Sequence, residues 1–340
     1  MTAHFEGARS IPAVMLCVGA TLAAACDHRS ASQPASAAGD RPPSLLTAIG
    51  EQLAVVDSAD GQTRYLPGRF TEVSRVAVTA GGEFAIVVNG ARDCRTQGGF
   101  EEGSYQPEID HVEIATGARE RVVGGSDFPV VNRRAVTLAG IGVSDAPALV
   151  AYEIVCDGGG TLGFTDMVTG LNARRPPLGE TGYTSELPVE SVRPLGWLSD
   201  GRTLFYMVSV RAEPGARYYF GLVWPLVETS DEVIRRVADT MPLSGDVPTA
   251  AALVDDTTIA FAQHAGAGGS RVRGWDVTTG QFRQSGQLFE LPETITALTI
   301  DAGGRHFLAI TRPRRLYRWS VGDPRPVKIA DGVTAAAWIQ

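Results

Sequence analysis

Four glycines set the frame for this chain. Gly61, Gly117, Gly170 and Gly280 each sit in a short turn between an apolar stretch and a polar-apolar stretch. The segments are LAVVDSADGQTRYL (53–66), HVEIATGARERVV (111–123), GFTDMVTGLNARR (163–175) and RGWDVTTGQFRQS (273–285). The glycines are 56, 53 and 110 residues apart, the last spacing being two periods of 55. A looser copy is LYRWSVGDPRPVKI (316–329), and a degenerate one falls around 217–242. Turn residues between alternating runs make each segment a β-hairpin. A period held along the chain restricts the architecture to one that stacks or circles equal units.

A second segment type lies between these hairpins: a strand of small apolar residues, a tight turn, then another apolar strand. It occurs as VSRVAVTAGGEFAIVV (73–88), SVRPLGWLSDGRTLFYMV (191–208), TAAALVDDTTIAFAQ (249–263) and TALTIDAGGRHFLAI (296–310). RRAVTLAGIGVSDAPALVAYEI (133–154) is a longer variant. Ala77, Ala251 and Ala297 in the first strand suit a crowded inner ring. Joined, the two types give four-stranded units of roughly 45–55 residues, the size of a propeller blade. One stretch reads differently. Thr229 and Glu232 have capping-box spacing, with Val233, Ile234, Val237 and Met241 following at helical spacing, which predicts a short helix over 230–240.

Three short motifs recur in such units: Ser-Asp-Gly-Arg at 199–202, Ala-Gly-Gly-Arg at 302–305 and Trp275-Asp276. With them, residues 44–340 resemble the TolB-like and WD-repeat-like β-propellers of bacterial envelopes. The expected fold is all-β. Counting units gives a six-bladed β-propeller, with blades at 73–124, 133–178, 190–243, 248–290 and 294–329. Residues 44–66 supply the outer strands of the first blade and 332–340 its innermost. The C-terminal strand then closes the ring by pairing with the N-terminal blade, which removes open sheet edges. Seven blades, with 91–110 or 179–190 hiding further strands, is the runner-up.

The N-terminus carries a separate message. Arg9 precedes an apolar run, Ile11 to Ala25, that ends in Leu22-Ala23-Ala24-Ala25 before Cys26. A positive start, an apolar stretch and small residues at the cut describe an export signal. The cysteine makes it resemble a bacterial lipoprotein signal, which implies cleavage before Cys26, lipidation of Cys26 and attachment to a membrane outside the cytoplasm. The alternative is an ordinary cleaved signal with an incidental cysteine. Residues 27–43, rich in Ala, Ser and Pro, read as a flexible tether. The expected organisation is a signal at 1–25, lipidated Cys26 and tether at 26–43, and a propeller at 44–340.

Net charge is −8, which argues against nucleic acid as a partner. Lys328 is the only lysine, so the abundance of arginine reflects composition. The connections from second to third strand are expected to be long and to share one face: 89–110, 157–160, 209–217 and 264–271. Binding residues concentrate on loops held by a rigid scaffold. The candidate binding face is Arg92, Asp93, Arg95, Phe100, Glu101, Glu102, Tyr105, Arg211, Glu213, Arg217 and His264. Cys94 and Cys156 follow the second strands of adjacent blades, which places them for a disulfide; two unpaired thiols are the alternative.

No catalytic constellation is legible. His28, His111, His264 and His306 stand apart, and no His/Cys/Asp group has metal-ligand spacing. Asp57 to Gly61 resembles the start of a calcium loop without its remaining ligands. Gly266 to Ser270 does not continue into a phosphate loop. No cofactor and no metal are expected. The function expected is a membrane-tethered binding or scaffold protein for an envelope protein or peptide. A small-ligand sensor or carrier, and a propeller hydrolase or lyase acting on a sugar or lactone, are the alternatives.

Overall fold

A computed structural model describes residues 43–71, 73–79, 81–89, 108–123, 136–137, 149–156, 159–166, 172–175, 189–200, 203–211, 216–223, 235–238, 248–276 and 281–339. Arg41–Gln340 form one compact unit. The described residues are all-β, and their strands form four-stranded antiparallel sheets with no helix among them.

Sheet 1 joins the two ends of the unit. Its strands are β1 (Leu45–Ile49), β2 (Gln52–Val56), β3 (Thr63–Tyr65) and β24 (Val333–Trp338), in the order β24-β1-β2-β3. Sheet 2 holds β4 (Arg75–Val78), β5 (Phe84–Asn89), β6 (Glu108–Glu113) and β7 (Arg119–Val123). Sheet 3 holds β8 (Val136–Thr137), β9 (Leu149–Cys156), β10 (Gly159–Asp166) and β11 (Asn172–Arg175). Sheet 4 holds β12 (Val189–Trp197), β13 (Leu204–Arg211), β14 (Ala216–Val223) and β15 (Arg235–Ala238). Sheet 5 holds β16 (Ala250–Asp255), β17 (Thr258–His264), β18 (Ser270–Asp276) and β19 (Gln281–Leu291). Sheet 6 holds β20 (Ile295–Ile300), β21 (His306–Thr311), β22 (Arg315–Ser320) and β23 (Val327–Asp331). In sheets 2 to 6 the strands lie side by side in chain order.

Hydrophobic packing lies between sheets. Leu46, Ala48, Leu53, Ala335 and Ala337 of sheet 1 pack on Val76, Ala85, Val87 and Val112 of sheet 2. Leu66, Phe70 and Val73, from the connection between those sheets, complete the cluster. Phe289 and Val272 of sheet 5 meet Phe307, Leu298 and Trp319 of sheet 6. Leu45 and Trp338 of sheet 1 meet Leu308, Ile310 and Leu316 of sheet 6. The second strands are therefore covered on both faces, and β21 is buried at every residue. This is why they read as continuous apolar runs rather than as an alternation. The outermost strands are the least covered: every residue of β3 is exposed.

The period glycines do two jobs. At Gly61 and Gly117 φ is +74°, which an L side chain rarely adopts. Gly117 also lies against the connection from sheet 1, where a Cβ would come within 2.8–2.9 Å of Pro67. Gly170 and Gly280 lie outside the described residues.

The helix expected over 230–240 is not formed at 235–238. Those residues are β15, which pairs with β14 through Gly221↔Arg236 and Leu222↔Arg235. Pairing satisfies the outer backbone edge of β14, and that demand overrides a weak local helical pattern.

Candidate functional site

In each sheet the second and third strands join at one end, and the connection from the preceding sheet arrives there too. At this end of sheets 5, 6 and 1 the loops are tied to one another. The 265–269 loop closes on itself, with Ala265 N–H donating to the Gly269 carbonyl at 3.0 Å and Gly269 N–H to the Gly266 carbonyl at 2.9 Å. The Thr294 hydroxyl, in the crossover to sheet 6, donates to the Gly268 carbonyl at 3.1 Å. The Thr294 carbonyl accepts from Arg312 N–H at 2.8 Å. The Arg314 carbonyl accepts from Val333 N–H at 2.9 Å, which carries the chain of bonds to β24. Ala267 (φ 45°) and Arg314 (φ 62°) are the two non-glycine residues with positive φ among the described residues, and both lie here. Arg312 and Arg314 are exposed.

Beside them Glu293 forms a polar knot. Its carboxylate accepts from the Thr311 hydroxyl at 2.6 Å, the Tyr317 hydroxyl at 3.3 Å and the Arg315 guanidinium. Arg315 Nε also lies 3.5 Å from Asp331, which pairs with Lys328 at 2.9 Å. Burial alone would raise the Glu293 carboxyl's pKa; the bonds from Thr311 and Arg315 and the Arg315 charge outweigh it and hold that pKa below its ordinary value. Burial and the Glu293 charge push the Tyr317 phenol up. The Lys328 bond holds Asp331 below its ordinary value. The knot anchors the crossover from sheet 5 onto two strands of sheet 6.

Of the predicted site residues, Cys156, Arg211, Arg217 and His264 lie at this same end of sheets 3, 4 and 5. All four are strand residues rather than loop residues, because the hairpins pair further than their composition suggests. Cys156 pairs with Gly159, Arg211 with Ala216, Val210 with Arg217 and His264 with Ser270. The expected connections 157–160, 209–217 and 264–271 therefore shorten to 157–158, 212–215 and 265–269. His264 is exposed. Arg92, Asp93, Cys94, Arg95, Phe100, Glu101, Glu102, Tyr105, Glu213 and Cys26 lie outside the described residues. No group of three or more His, Cys, Asp or Glu placed to hold a metal occurs among the described residues.

Sequence reasoning missed the Glu293 knot because its partners are 18 to 24 residues away and no motif links them. It also missed a latch at the opposite end, where Ser199 N–H and its hydroxyl both donate to Asp256 of the next sheet. The Ser-Asp-Gly-Arg motif is thus a structural device. Ser199 latches sheet 4 to sheet 5, and Asp200 accepts from Thr203 N–H at 2.8 Å to close the turn.

No protein-family model matches the chain, and no curated protein matches it either. Solved structures do. TolB from Acinetobacter baumannii superposes with a TM-score of 0.60 at 15% identity, over 88% of this chain and 67% of that one. The fold is a β-propeller. Each four-stranded sheet is a blade, and the end described above is the propeller face that carries the second-to-third-strand connections. A looser likeness, to the tricorn protease, has a TM-score of 0.45 at 15% identity and covers 85% of this chain and 30% of that one. At this identity the likeness to TolB is one of fold.

Proposed function

We propose that the chain is a lipid-tethered extracytoplasmic binding protein that presents the second-to-third-strand face of its propeller to an envelope protein or peptide. The ring has six blades and is closed by β24. Residues 1–25 direct export, Cys26 carries the lipid, and residues 27–43 hold the propeller away from the membrane. One observation carries the reading. The loops of blades 5, 6 and 1 are locked together on one face by main-chain and threonine bonds, and blade 2 inserts residues 90–107 between β5 and β6 on that same face. A stiff rim beside a long inserted segment is how scaffolds display recognition residues. Arg92, Asp93, Arg95, Phe100, Glu101, Glu102 and Tyr105 lie in that insert, with Arg211, Glu213, Arg217 and His264 alongside. A Cys94–Cys156 disulfide would pin the insert to blade 3.

The test is chemical crosslinking in the native cells, with captured proteins identified by mass spectrometry, for the full chain and for a variant lacking 95–106. A reproducible partner that disappears in the variant is expected. A partner captured equally by both would move recognition off this face. Replacing Cys26 with Ser should release the protein from the membrane fraction, and an unchanged distribution would contradict the tether.

A further inference from the structure

The geometry points to an anion-binding position on the innermost strands, centred on Arg193. The inner strands are in matching register. In blade 1, Ile339 N–H donates to the Ser44 carbonyl, and four pairs along the hairpin Ala48 faces Ala335. In blade 6 the bond from Asp301 N–H to His306 plays the same part, and four pairs along Ile310 faces Ala297. Blade 5 is alanine throughout Ala250–Ala252 at this level. Blades 2 and 4 break the rule. From the Thr79–Phe84 bond the count reaches Val88 facing Arg75, and from the Leu198–Thr203 bond it reaches Met207 facing Arg193.

Small residues at this level let neighbouring inner strands approach. Ala335 belongs to the cluster between blades 1 and 2, and Ala297 packs on the one between blades 6 and 1. Gly196 lies on the same face of β12 as Arg193, and a Cβ there would sit 3.1 Å from Leu253 of β16. A seam that tight has no lateral room for an arginine. β12 is bonded only to β13, so its other edge is free. An arginine side chain is long enough to reach past that free edge, with its head in water and its stem covered. Arg193 is half-buried.

Its guanidinium makes no hydrogen bond or ion pair with the described residues, in contrast to Arg271 on Glu290 at 2.6 Å or Arg315 on Glu293. A partly desolvated charge without a partner costs stability. That cost is offset when an outside anion occupies the fork, which suits a carboxylate or phosphate held by two parallel bonds. Arg75, at the equivalent place in blade 2, adds positive charge at the same level; one of its N–H groups donates to the Ser74 carbonyl at 2.8 Å. The ligand class is a small molecule bearing a carboxylate or a phosphate, bound in the central channel. The site rests on the closed six-bladed ring proposed above.

The test is isothermal titration of the full chain with inorganic phosphate and, separately, with succinate, both at constant ionic strength. Saturable binding of one or both is expected, and which one binds separates the two chemistries. Arg193→Ala should weaken binding at least tenfold while folding normally, since alanine is the residue at this level in other blades. Arg193→Lys should fall between, and Arg325→Ala, on an exposed turn, should bind as the native chain does. No saturable binding, or equal affinity in Arg193→Ala, overturns the site. A chain ending at residue 332 separates the ring from the site. If it melts like the full chain the ring reading fails, whereas a cooperatively folded full chain that binds neither probe removes the anion site alone.

Discussion

Glu293 shows how a single side chain holds two blades together. Its carboxylate takes bonds from Thr311, Tyr317 and Arg315, on two strands of blade 6, while Glu293 itself sits in the crossover from blade 5. Hydrogen bonds to a charged group contribute about 1.5–3 kcal/mol each, and much of that survives as neutral bonds in an amide. Glu293→Gln should therefore lower unfolding free energy at neutral pH by about 1–2 kcal/mol, measured by urea denaturation. The pH dependence has a definite sign. The folded carboxyl has a lower pKa than the unfolded one, so its contribution is complete above the ordinary glutamate value of about 4.3 and disappears as pH falls through the folded value. The gap between native and variant should be full at pH 7 and should close toward pH 3. A gap that persists in acid would mean that the loss is one of packing rather than charge.

At the scale of elements, β24 matters most. It pairs with β1 from Leu45↔Trp338 to Ile49↔Val333, and its residues lie in the clusters shared with blade 2 on one side and blade 6 on the other. Ending the chain at residue 332 should abolish a cooperative thermal transition and expose apolar surface to a hydrophobic dye. A truncated chain with native cooperativity would contradict the proposed closure. The hairpins were legible because their causes are local: a turn glycine at positive φ, an aspartate bonding the turn backbone, as Asp57 does to Ala59 N–H at 2.8 Å, and apolar runs to either side. The helix expected over 230–240 came from a local pattern too weak to resist the pairing demand of β14. Phe70 falls between the sequence segments that end at Leu66 and begin at Val73, and the burial of all three residues carries no local signal because it depends on two sheets coming together. The bond from Arg318 to the Ser58 carbonyl at 2.6 Å spans 260 residues and carries no sequence signal at all. Of the candidate face, its position followed from strand order, but the length of its strands did not, and Arg211, Arg217 and His264 moved from loops to strand ends.

For the whole molecule, the two ends of the blades differ in character. The second-to-third-strand face has cross-tied loops, two residues in strained backbone and exposed arginines at 312 and 314. The opposite end has tight turns latched blade to blade, as Ser199 is to Asp256 and as Gly304 is pressed near the Val254 carbonyl. One end carries cross-tied loops and the other closes the seams between blades. The most direct measurement is site-specific photo-crosslinking in the native cells, with the reactive group placed in turn at His264, at Arg312 and at Val321, which is exposed on the opposite face. Crosslinks to one partner from positions 264 and 312, with none from 321, are the predicted result; crosslinks from 321 alone, or equally from all three, would contradict the account.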